Sequence, residues 1–418
     1  MNGLRVLLFE DAGVDQLYPI TVGRPAFAIQ CAGYRLIDWL EGWDVPLAAV
    51  VRRHLRAIQE LHYPQLKPSL PTSDSPVLLI NARLVPCHSN LSTLAKLVTD
   101  RRYGVIRSGT ALAAAFLPDT VAWREEATQD HFDPQKIFHE QLTRVSPLAS
   151  PLRLFEYPHD VVRYNEECIG ENLEQRLAKG DYREIRDGVF LGTDAQVGEY
   201  VTTDTRQGPI IIEPHAQIGP YCFLRGPVLI GPHSKVIEHS AIKDYVSVGS
   251  TVKLGGEVEA SVIESYTNKQ HHGFLGHSYL GSWINWGAGT SNSDLKNTYG
   301  EVKMEYRGRK VATGMQFVGA IIGDYSKTAI NTSVFTGKTI GVCSMLYGFV
   351  TTNVPSFVNY ARSFGQVTEM APEVMASTQQ RMFLRRKVTQ AAADIQLLRD
   401  MYELTRHERQ LAGEPLSL

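Results

Sequence analysis

The 418-residue sequence predicts three parts: an α/β domain over residues 1–180, a parallel β-helix over about 187–357 and an amphipathic helix over 370–413. Three observations predict this order. Short aliphatic runs alternate with helix-like segments at the start of the chain. Aliphatic residues recur at every sixth position in the middle. A stretch without Gly or Pro carries an apolar stripe at the end.

The spacing of six is the strongest of these signals. Seven consecutive aliphatic residues follow it, and a small or β-branched residue stands four positions after each. The aliphatic residues are Ile212, Ile218, Leu224, Ile230, Val236, Ile242 and Val248. Helices repeat at 3.6 residues and strands at 2, so a period of six fits neither alone. It fits a solenoid in which each face takes six residues and points one aliphatic side chain inward. A β-sandwich with accidental spacing is the alternative.

The flanking parts follow from local patterns. The runs at 4–10 and 76–80 are typical of buried strands, and helical patterns lie between and after them at 34–43, 52–63, 91–100, 134–145 and 160–180. This alternation predicts a mainly parallel sheet with sites at the strand ends. Near the C-terminus, Pro372 suits a first helical turn. The apolar stripe behind it predicts one long helix that packs on the solenoid or between subunits.

Composition excludes several classes of protein. The 42 basic and 44 acidic residues almost cancel, so no overall field attracts nucleic acid or an anionic membrane. Five scattered Cys without a Cys-x-x-Cys pair argue against a disulfide framework or structural zinc. No segment reaches eighteen consecutive apolar residues. We expect a cytoplasmic protein that uses neither nucleic acid nor membrane.

Two stretches interrupt the period of six, at 259–273 and 290–314. Interruptions of a solenoid usually form loops at one edge, where binding groups collect. Both stretches are rich in cationic side chains and flank the sequence GHSYLGSWINWGAGTSNSDLKN at 276–297. The cations are Lys269, His271, His272, Lys296, Arg307, Arg309 and Lys310. We expect them to form a local anion-binding set.

The two patterned regions together resemble the bifunctional enzymes of UDP-N-acetylglucosamine synthesis. Those enzymes join a sugar-1-phosphate nucleotidyltransferase domain to a left-handed β-helix acetyltransferase. The motifs that carry the resemblance are Gly276-His277…Tyr279-Leu280-Gly281, Asn285-Trp286-Gly287-Ala288-Gly289-Thr290, and Leu17-Tyr18-Pro19-Ile20-Thr21 with Arg24-Pro25.

The resemblance implies specific roles. His277 would be the general base, helped by Asn285, and Tyr279, Asn292, Lys296 and Arg309 would bind an amino-sugar phosphate. The backbone of Gly287, Ala288 and Gly289 would lie along acetyl-CoA, and Arg24 would contact a phosphate in the N-terminal domain. The family also implies a homotrimer with active sites shared between subunits.

The sequence departs from the family in both halves. One residue separates His277 from Tyr279 where the family typically has two, and the coil usually found between Tyr-Leu-Gly and the Asn is missing. The Gly-rich phosphate loop is absent from the N-terminal half. Asn81-Ala82-Arg83 stands where the family has the Asp that binds Mg²⁺, so the departures argue against Mg²⁺ there. The sequence is similar to a subgroup with this altered N-terminal domain.

Three alternatives stay open from the sequence. Glu10 or Asp11 could rebuild a metal site, which would leave an active nucleotidyltransferase. His272 and His277, with His239 or His233, could instead bind zinc as in γ-class carbonic anhydrases, which resemble this region in histidine spacing. The protein could also be a sugar-nucleotide-binding protein that catalyses nothing.

Overall fold

The structure is a computed structural model that describes residues 3–67, 69–70, 75–119, 123–124 and 132–411. The chain forms two compact units. The first comprises Met1–Leu17, Arg24–Ile29 and Tyr34–Tyr157. The second comprises Tyr18–Gly23, Gln30–Gly33 and Pro158–Leu418. The first unit thus ends at Tyr157, and the helix predicted at 160–180 is grouped with the second unit.

The first unit is an α/β domain around a five-stranded sheet. Its strands are β1 (Arg5–Phe9), β2 (Leu47–Val50), β3 (Ser69–Leu70), β4 (Val77–Asn81), β5 (Gly104–Ser108), β6 (Ala111–Leu117) and β7 (Trp123–Arg124). Its helices are α1 (Leu36–Glu41), α2 (Arg56–His62), α3 (His88–Thr99), α4 (Pro134–Ile137) and α5 (His139–Arg144), with 3-10 turns at Ala12–Leu17, Ala26–Ala28 and Arg53–Leu55. The sheet order is β2-β1-β4-β6-β5, and β3 pairs with β7.

The prediction of a mainly parallel sheet is wrong. Strand β1 is parallel to β2 and to β4, but β6 is antiparallel to both β4 and β5. The cause is the two-residue connection between β5 and β6, which is long enough only for a hairpin. Gly109 takes a positive φ of 56° in this turn. The dipeptide Gly-Thr is a weak hairpin signal, which is why the sequence pattern did not reveal it.

The second unit begins with helix α6 (Asp160–Lys179) and continues as a parallel β-helix with three faces. Face one contains β8 (Arg183–Arg186), β9 (Val189–Leu191), β12 (Ile210–Ile212), β15 (Val228–Ile230), β18 (Val246–Val248), β21 (Val262–Ile263), β24 (Tyr279–Leu280), β28 (Ala320–Ile322) and β31 (Lys338–Ile340). Apart from the antiparallel β8, each strand pairs in parallel with the equivalent strand of the next coil. Each six-residue repeat of the sequence thus forms one short strand and the corner that follows it.

Faces two and three are built in the same way. Face two contains β10 (Gln196–Val197), β13 (Gln217–Ile218), β16 (Lys235–Val236), β19 (Lys253–Leu254), β22 (Asn268–Lys269), β29 (Lys327–Thr328), β32 (Met345–Leu346), β34 (Val358–Ala361) and β35 (Gln366–Glu369). Asn285 bridges β22 to β29 on this face. Face three contains β11 (Thr202–Asp204), β14 (Phe223–Arg225), β17 (Ala241–Lys243), β20 (Glu257–Glu259), β23 (Phe274–Gly276), β25 (Ser291–Asn292), β30 (Ser333–Val334) and β33 (Phe349–Val350).

The seven aliphatic residues predicted to point inward do form the core of the β-helix. All of them are at most 3% exposed and belong to one continuous apolar cluster. Farther along, the spacing of six shifts: in β23, Leu275 points into the core and Phe274 is only half-buried. The fold class predicted from the sequence is therefore confirmed, with a shift of one residue at this coil.

The first predicted interruption, at 259–273, does not leave the β-helix. Strands β20 to β23 continue the coils there, with shortened corners in place of a loop. Lys269 occupies the inward position that an aliphatic residue holds elsewhere, and it is completely buried. Its Nζ donates to the carbonyl oxygens of Gly255, His271 and Gly273 at 2.7, 2.8 and 2.9 Å. Lys269 is thus a core residue and not part of an anion-binding loop.

The second predicted interruption does leave the β-helix. After β25 the chain forms an excursion over 295–318 before it returns at β28, and the excursion holds the hairpin β26 (Lys303–Tyr306) and β27 (Arg309–Ala312). An antiparallel bridge between Leu295 and Phe317 closes the neck of this excursion. The two ends of a long insertion are therefore brought together beside the β-helix.

The single long C-terminal helix predicted over 370–413 is three helices in the structure. They are α7 (Pro372–Arg385), α8 (Ala392–Leu404) and α9 (Arg406–Leu411), after a 3-10 turn at Arg362–Phe364; residues 412–413 lie outside the described part of the chain. Lys387 takes a positive φ of 57°, and the Val388 N–H donates back to the Phe383 carbonyl at 3.0 Å. This closes α7 with a left-handed residue, for which Gly is the usual signal and Lys is not.

None of the helices among the described residues is long and apolar enough to cross a membrane.

Candidate active site

His277 lies at a corner of the β-helix, between β23 on face three and β24 on face one. Its φ is 44°, in the left-handed region, and its backbone N–H donates to the Glu259 carbonyl of the preceding coil at 3.1 Å. Its carbonyl accepts from the Gly319 N–H of the following coil at 2.8 Å. Backbone bonds on both sides thus fix the place from which the imidazole projects.

Asp294 fixes the orientation of the imidazole. The Nδ1 atom of His277 is 2.8 Å from Asp294 Oδ2, and the two side chains are only 15% and 14% exposed. Because a carboxylate can only accept here, Nδ1 carries the proton and Nε2 presents its lone pair. The Phe317 ring stacks on the imidazole at 5.0 Å. This is the arrangement of a histidine base held by a carboxylate.

The neck of the excursion explains how these groups meet. Asp294 precedes the bridge between Leu295 and Phe317, so the bridge delivers a carboxylate and an aromatic ring to the same corner. Asp294 is fixed further because its carbonyl accepts from the Val318 N–H at 2.9 Å. The excursion therefore places Asp294 against His277, which lies seventeen positions earlier in the sequence.

Side chains link β23 to β25 directly below this corner. Asn292 donates to the Gly276 carbonyl and accepts from the Gly276 N–H, both at 3.0 Å, and Ser291 Oγ accepts from the Phe274 N–H at 3.0 Å. Asn292, predicted to bind substrate, is 4% exposed and has this structural role. A Cβ on Gly276 would lie 2.3 Å from Asp294 Oδ2, so only glycine lets the carboxylate reach His277.

Glu166, on α6, faces the other ring nitrogen. Its Oε1 is 3.8 Å from His277 Nε2, is shielded from solvent and has no hydrogen-bond partner among the described residues. Burial raises the pKa of Glu166, and the nearby Glu167 and Glu259 raise it further, whereas His277 lowers it. The neighbouring Asn165 holds α6 in place by accepting from Ser247 Oγ at 2.7 Å. The imidazole therefore has a carboxylate on each side.

The other predicted catalytic and cofactor residues lie elsewhere on the β-helix. Asn285 is on face two, where its Oδ1 accepts from Asn268 Nδ2 at 3.0 Å. Gly287, Ala288 and Gly289 form the corner between faces two and three. The Gly287 N–H donates to Thr328 Oγ1, the Gly289 N–H donates to the His272 carbonyl, and the Ala288 carbonyl accepts from the Asn331 N–H. Within one chain, the structure does not bring this set to the His277 corner.

Tyr279 is not on the open surface. It is completely buried, and its hydroxyl donates to Glu264 Oε1 at 2.9 Å. The same Glu264 oxygen accepts from the Gln30 N–H at 2.9 Å. The predicted substrate contact would require this buried bond to break, so the structure gives Tyr279 a packing role instead.

Four of the seven predicted cations lie on the excursion over 295–318. Lys296 directly follows Leu295 of the neck and is half-buried. Arg309 and Lys310 are exposed in β27, beside the hairpin turn. The Arg307 guanidinium lies over the Tyr18 ring at 4.7 Å. Lys296 therefore lies two residues after Asp294 in the chain, whereas Arg309 is beside the turn of the hairpin.

The histidines of the zinc alternative are not gathered at one place. His233 stacks on His215 at the corner between faces one and two, and His239 stacks on Tyr221 at the corner between faces two and three. His277 stands at the third corner and gives its Nδ1 to Asp294. Within one chain, the described residues therefore place neither His233 nor His239 beside His277, and His272 lies at the corner between faces two and three.

In the first unit, both acidic residues after β1 are engaged by arginines. Glu10 is 1% exposed; its Oε2 accepts from the backbone and side chain of Arg52 at 2.9 and 3.0 Å, and its Oε1 accepts from the Ala26 N–H at 2.8 Å. Asp11 accepts two bonds from Arg83, each at 2.8 Å, and one from Asn81 at 2.8 Å. The sequence-predicted phosphate residue Arg24 is buried nearby, and its carbonyl accepts from Arg52 at 3.3 Å.

The described residues thus combine an α/β unit with a β-helix that carries a histidine–carboxylate corner. Comparison with known proteins makes the assignment more specific. Residues 6–180 match the family model "Sugar nucleotidyl transferase". The resemblance predicted from the sequence is thereby confirmed at the level of the family.

Two curated relatives are bifunctional by name. The chain is 36% identical over 143 residues to the bifunctional sugar-1-phosphate nucleotidylyltransferase/acetyltransferase of Sulfurisphaera tokodaii; the match covers 34% of this chain and 36% of that protein. It is 33% identical over 90 residues to the bifunctional protein GlmU of Methanococcus vannielii, with 22% of each chain covered. The chain thus spans only about a third or less of the length of these relatives.

Among solved structures, the chain is similar to the UDP-N-acetylglucosamine acyltransferase of Francisella novicida. The sequence identity is 12%, the TM-score is 0.33, and the match covers 53% of this chain and 88% of that one.

Sequence reasoning missed Asp294 and Glu166. Asp294 was visible within SNSDLKN, but a solenoid period gives no rule for where an insertion returns. Glu166 was assigned to the first domain because it belongs to a helix before the repeats begin. The signal that could have found Asp294 is its position, since a short polar run directly before an excursion is where an edge group usually lies.

Proposed function

We propose that the β-helix unit transfers an acetyl group from acetyl-CoA to the amine of an amino-sugar phosphate. The observation that carries this proposal is the His277 corner, where Asp294 holds the Nδ1 proton and leaves Nε2 free to accept another. A sugar ammonium must lose a proton before its nitrogen can attack a thioester, and a neutral imidazole suits that task near pH 7. The bifunctional relatives support the same class of reaction.

The proposed reaction uses the residues of this corner in sequence. His277 Nε2 takes a proton from the ammonium, and the amine nitrogen then bonds to the thioester carbonyl carbon as the bond from carbon to sulfur breaks. The departing sulfur takes that proton from Nε2, and a second proton leaves the nitrogen to solvent as the amide forms. Asp294 stabilises the imidazolium between these two steps. Lys296 is the candidate for the sugar phosphate because it is the cation nearest in sequence to Asp294, and a phosphate binds such a cation.

The direct test is acetyl transfer by the whole chain. Free thiol released from acetyl-CoA is measured with glucosamine 1-phosphate, galactosamine 1-phosphate and glucosamine 6-phosphate, and the N-acetylated product is identified by mass. We expect one of these acceptors to release thiol in a protein-dependent way, while the corresponding sugar phosphates without an amine do not. Failure of every amine to accept acetyl would refute the proposal and favour a sugar-nucleotide-binding protein.

Asp294→Asn is expected to lower the turnover number by about ten- to a hundredfold, with a smaller change in the Michaelis constant of the amine. The reason is that the neutral amide cannot stabilise the imidazolium, and its NH₂ end can turn toward Nδ1 and favour the wrong tautomer. Steady-state kinetics with saturating acetyl-CoA measure this. A turnover number equal to that of the unaltered protein would show that Asp294 only fixes the loop.

We further propose a cytoplasmic homotrimer in which the site is completed by a neighbouring subunit. Within one chain, His277 stands at one corner and Asn285 lies on face two, so the two cannot act on one substrate unless another copy supplies one of them. Several large apolar side chains of the later coils are also exposed, among them Ile330, Phe349 and Phe364. Such surfaces usually mark contacts between chains.

Mixing two variants, each lacking one of these two groups, tests the shared site. His277→Asn and Asn285→Ala are refolded or co-expressed together in equal amounts. If the site lies between subunits, about one quarter of the sites in random trimers keep both groups, so about a quarter of normal activity should return. Light scattering of the unaltered protein should give three times the mass of one chain. A monomer, or mixtures no more active than the separate variants, would contradict the proposal.

For the first unit, we propose that it keeps the nucleotidyltransferase fold without metal-assisted pyrophosphoryl transfer. The residues present do not fit Mg²⁺: Asp11 is paired with Arg83 at 2.8 Å and Glu10 with Arg52 at 3.0 Å, so each carboxylate already has a buried cation. A divalent ion would have to displace an arginine that cannot lose its charge. A role in binding a sugar nucleotide is compatible with these contacts.

Pyrophosphate release from nucleoside triphosphates and sugar 1-phosphates, with Mg²⁺ present, should stay below about one turnover per second. The Arg83→Ala variant provides the sharper comparison, since it removes the arginine partner of Asp11 and should leave the sheet folded. Turnover at ordinary enzyme rates in the unaltered protein would show that Glu10 or Asp11 is released from its arginine during the reaction.

A further inference from the structure

Glu166 is the group at the His277 corner that the proposed reaction leaves without a role. Its Oε1 is shielded from solvent and has no hydrogen-bond partner among the described residues. A buried carboxylate oxygen without a donor is costly, and in native proteins such an atom usually marks a missing ligand or water. The atom faces His277 Nε2 at 3.8 Å, which places it at the reacting position and not on a remote surface.

Two acceptors face each other across this gap. Because Asp294 takes the Nδ1 proton, a neutral His277 offers only a lone pair at Nε2, and an ionised Glu166 offers only lone pairs as well. Neither can donate to the other. A donor with at least two hydrogens, and preferably a positive charge, would satisfy both. Since 3.8 Å is less than twice a normal hydrogen-bond length of about 2.9 Å, one nitrogen can bond to both atoms.

We propose that Glu166 selects a primary ammonium group by binding it between its Oε1 and His277 Nε2. This inference rests on the proposed acetyl transfer and adds the residue that distinguishes an amine acceptor from a hydroxyl acceptor. An ammonium has three N–H bonds and can donate to both atoms at once, whereas a hydroxyl has one hydrogen and leaves one acceptor unsatisfied. The charge also favours the ammonium, since ionised partners make the stronger hydrogen bonds.

The same placement fits the proton balance of the reaction. The ammonium loses two protons overall: the first passes to Nε2 and then to the leaving sulfur, and the second leaves to solvent as the amide forms. Glu166 stays ionised throughout and lies beside the imidazolium while it exists. The carboxylate thus orients the nitrogen before transfer and stabilises the charge that moves to His277, without forming a covalent bond itself.

The packing of α6 holds Glu166 in a fixed position. The adjoining Asn165 is completely buried and binds both the Ala32 N–H, at 2.9 Å, and Ser247 on β18, at 2.7 Å. Helix α6 therefore cannot slide along face one without breaking buried bonds. A rigid carboxylate is what discrimination between an ammonium and a hydroxyl requires, because a mobile one could withdraw to solvent when no cation is bound.

The experiment compares two ligands that differ only in this group. Glucosamine 1-phosphate and glucose 1-phosphate are titrated into the full chain by calorimetry, without acetyl-CoA. The variants are Glu166→Gln and the control Glu174→Gln, which makes the same change at an exposed position two turns further along α6. We expect the unaltered protein and the control to prefer the amine by about ten- to a hundredfold, and Glu166→Gln to lose that preference while keeping affinity for glucose 1-phosphate.

The outcomes separate this inference from the proposed function. A preference for the amine that survives Glu166→Gln overturns the inference, even if acetyl transfer is observed. A preference that depends on Glu166 but is accompanied by no acetyl transfer to any amine keeps the inference and refutes the proposed reaction. If the unaltered protein does not prefer the amine at all, the inference is wrong. Thermal unfolding of each variant confirms that α6 remains folded.

Discussion

Replacing His277 by asparagine is expected to lower the turnover number for acetyl transfer by about two to four orders of magnitude, because a general base contributes about that much. Asparagine is the appropriate substitute because His277 has a φ of 44°, a conformation that asparagine tolerates better than alanine. The variant should therefore keep the corner intact while losing the proton acceptor. Binding of acetyl-CoA should change little, since the predicted cofactor segment Gly287–Gly289 is at a different corner.

The chain supplies a close control for this substitution. His239 is also a corner histidine, with a φ of 59°, and is exposed on the edge between faces two and three. His239→Asn repeats the same chemical and conformational change away from the Asp294 contact, so it should retain most of the activity. Steady-state kinetics on a verified amine measure both variants. Full activity of His277→Asn would show that the histidine is structural and that the shortened His-Tyr spacing has moved the reaction elsewhere.

The β-helix could be predicted from the sequence because its energetics repeat. Every coil must bury one side chain per face, and seven aliphatic residues at a spacing of six leave little other choice of fold. The mixed sheet of the first unit was harder, because the direction of β6 depends on a turn of two residues. The sequence pattern predicted one C-terminal helix in place of three for a related local reason. The left-handed Lys387 ends α7 without a Gly or Pro signal.

The candidate site was only half predictable. His277 stands in a recognisable motif, but Asp294 reaches it through the neck of the excursion and Glu166 through a helix from before the repeats. Both contacts depend on where non-periodic segments return to the β-helix. The burial of Tyr279 could not be predicted either, because it depends on what covers its strand of face one, where its hydroxyl is bonded to Glu264. Exposure at a corner is thus decided by what packs outside the repeat.

Lys269 is the residue for which prediction and structure differ most, and its replacement has the second large expected effect. Lys269→Met should destabilise the protein at pH 7 by about 2–4 kcal/mol in the free energy of unfolding. Methionine fills a similar volume but cannot donate, so the Gly255 and His271 carbonyl oxygens lose the bonds at 2.7 and 2.8 Å that Lys269 now makes. Each buried acceptor left without a donor costs about 1–3 kcal/mol. Removal of a buried charge offsets part of this.

The pH dependence distinguishes a buried ammonium from simple packing. Burial lowers the pKa of Lys269 from its ordinary value of 10.5 to about 8, so the amine is protonated at pH 7 in both the folded and the unfolded chain. Between about pH 8 and 10 the unfolded chain binds more protons than the folded one. The free energy of unfolding should therefore rise with pH there, by up to about 1.4 kcal/mol per pH unit. In Lys269→Met this contribution is absent, so the difference between the two proteins should widen as the pH rises.

Denaturant unfolding at pH 7, 8, 9 and 10 measures this, with Lys235→Met as the control. Lys235 is on the same face of an earlier coil but points outward and is exposed, so its replacement should change stability by no more than about 0.5 kcal/mol at any of these pH values. A constant difference between Lys269→Met and the unaltered protein would mean that the lysine keeps an ordinary pKa. A variant as stable as the unaltered protein at pH 7 would mean that the three carbonyl bonds only compensate for burying the charge.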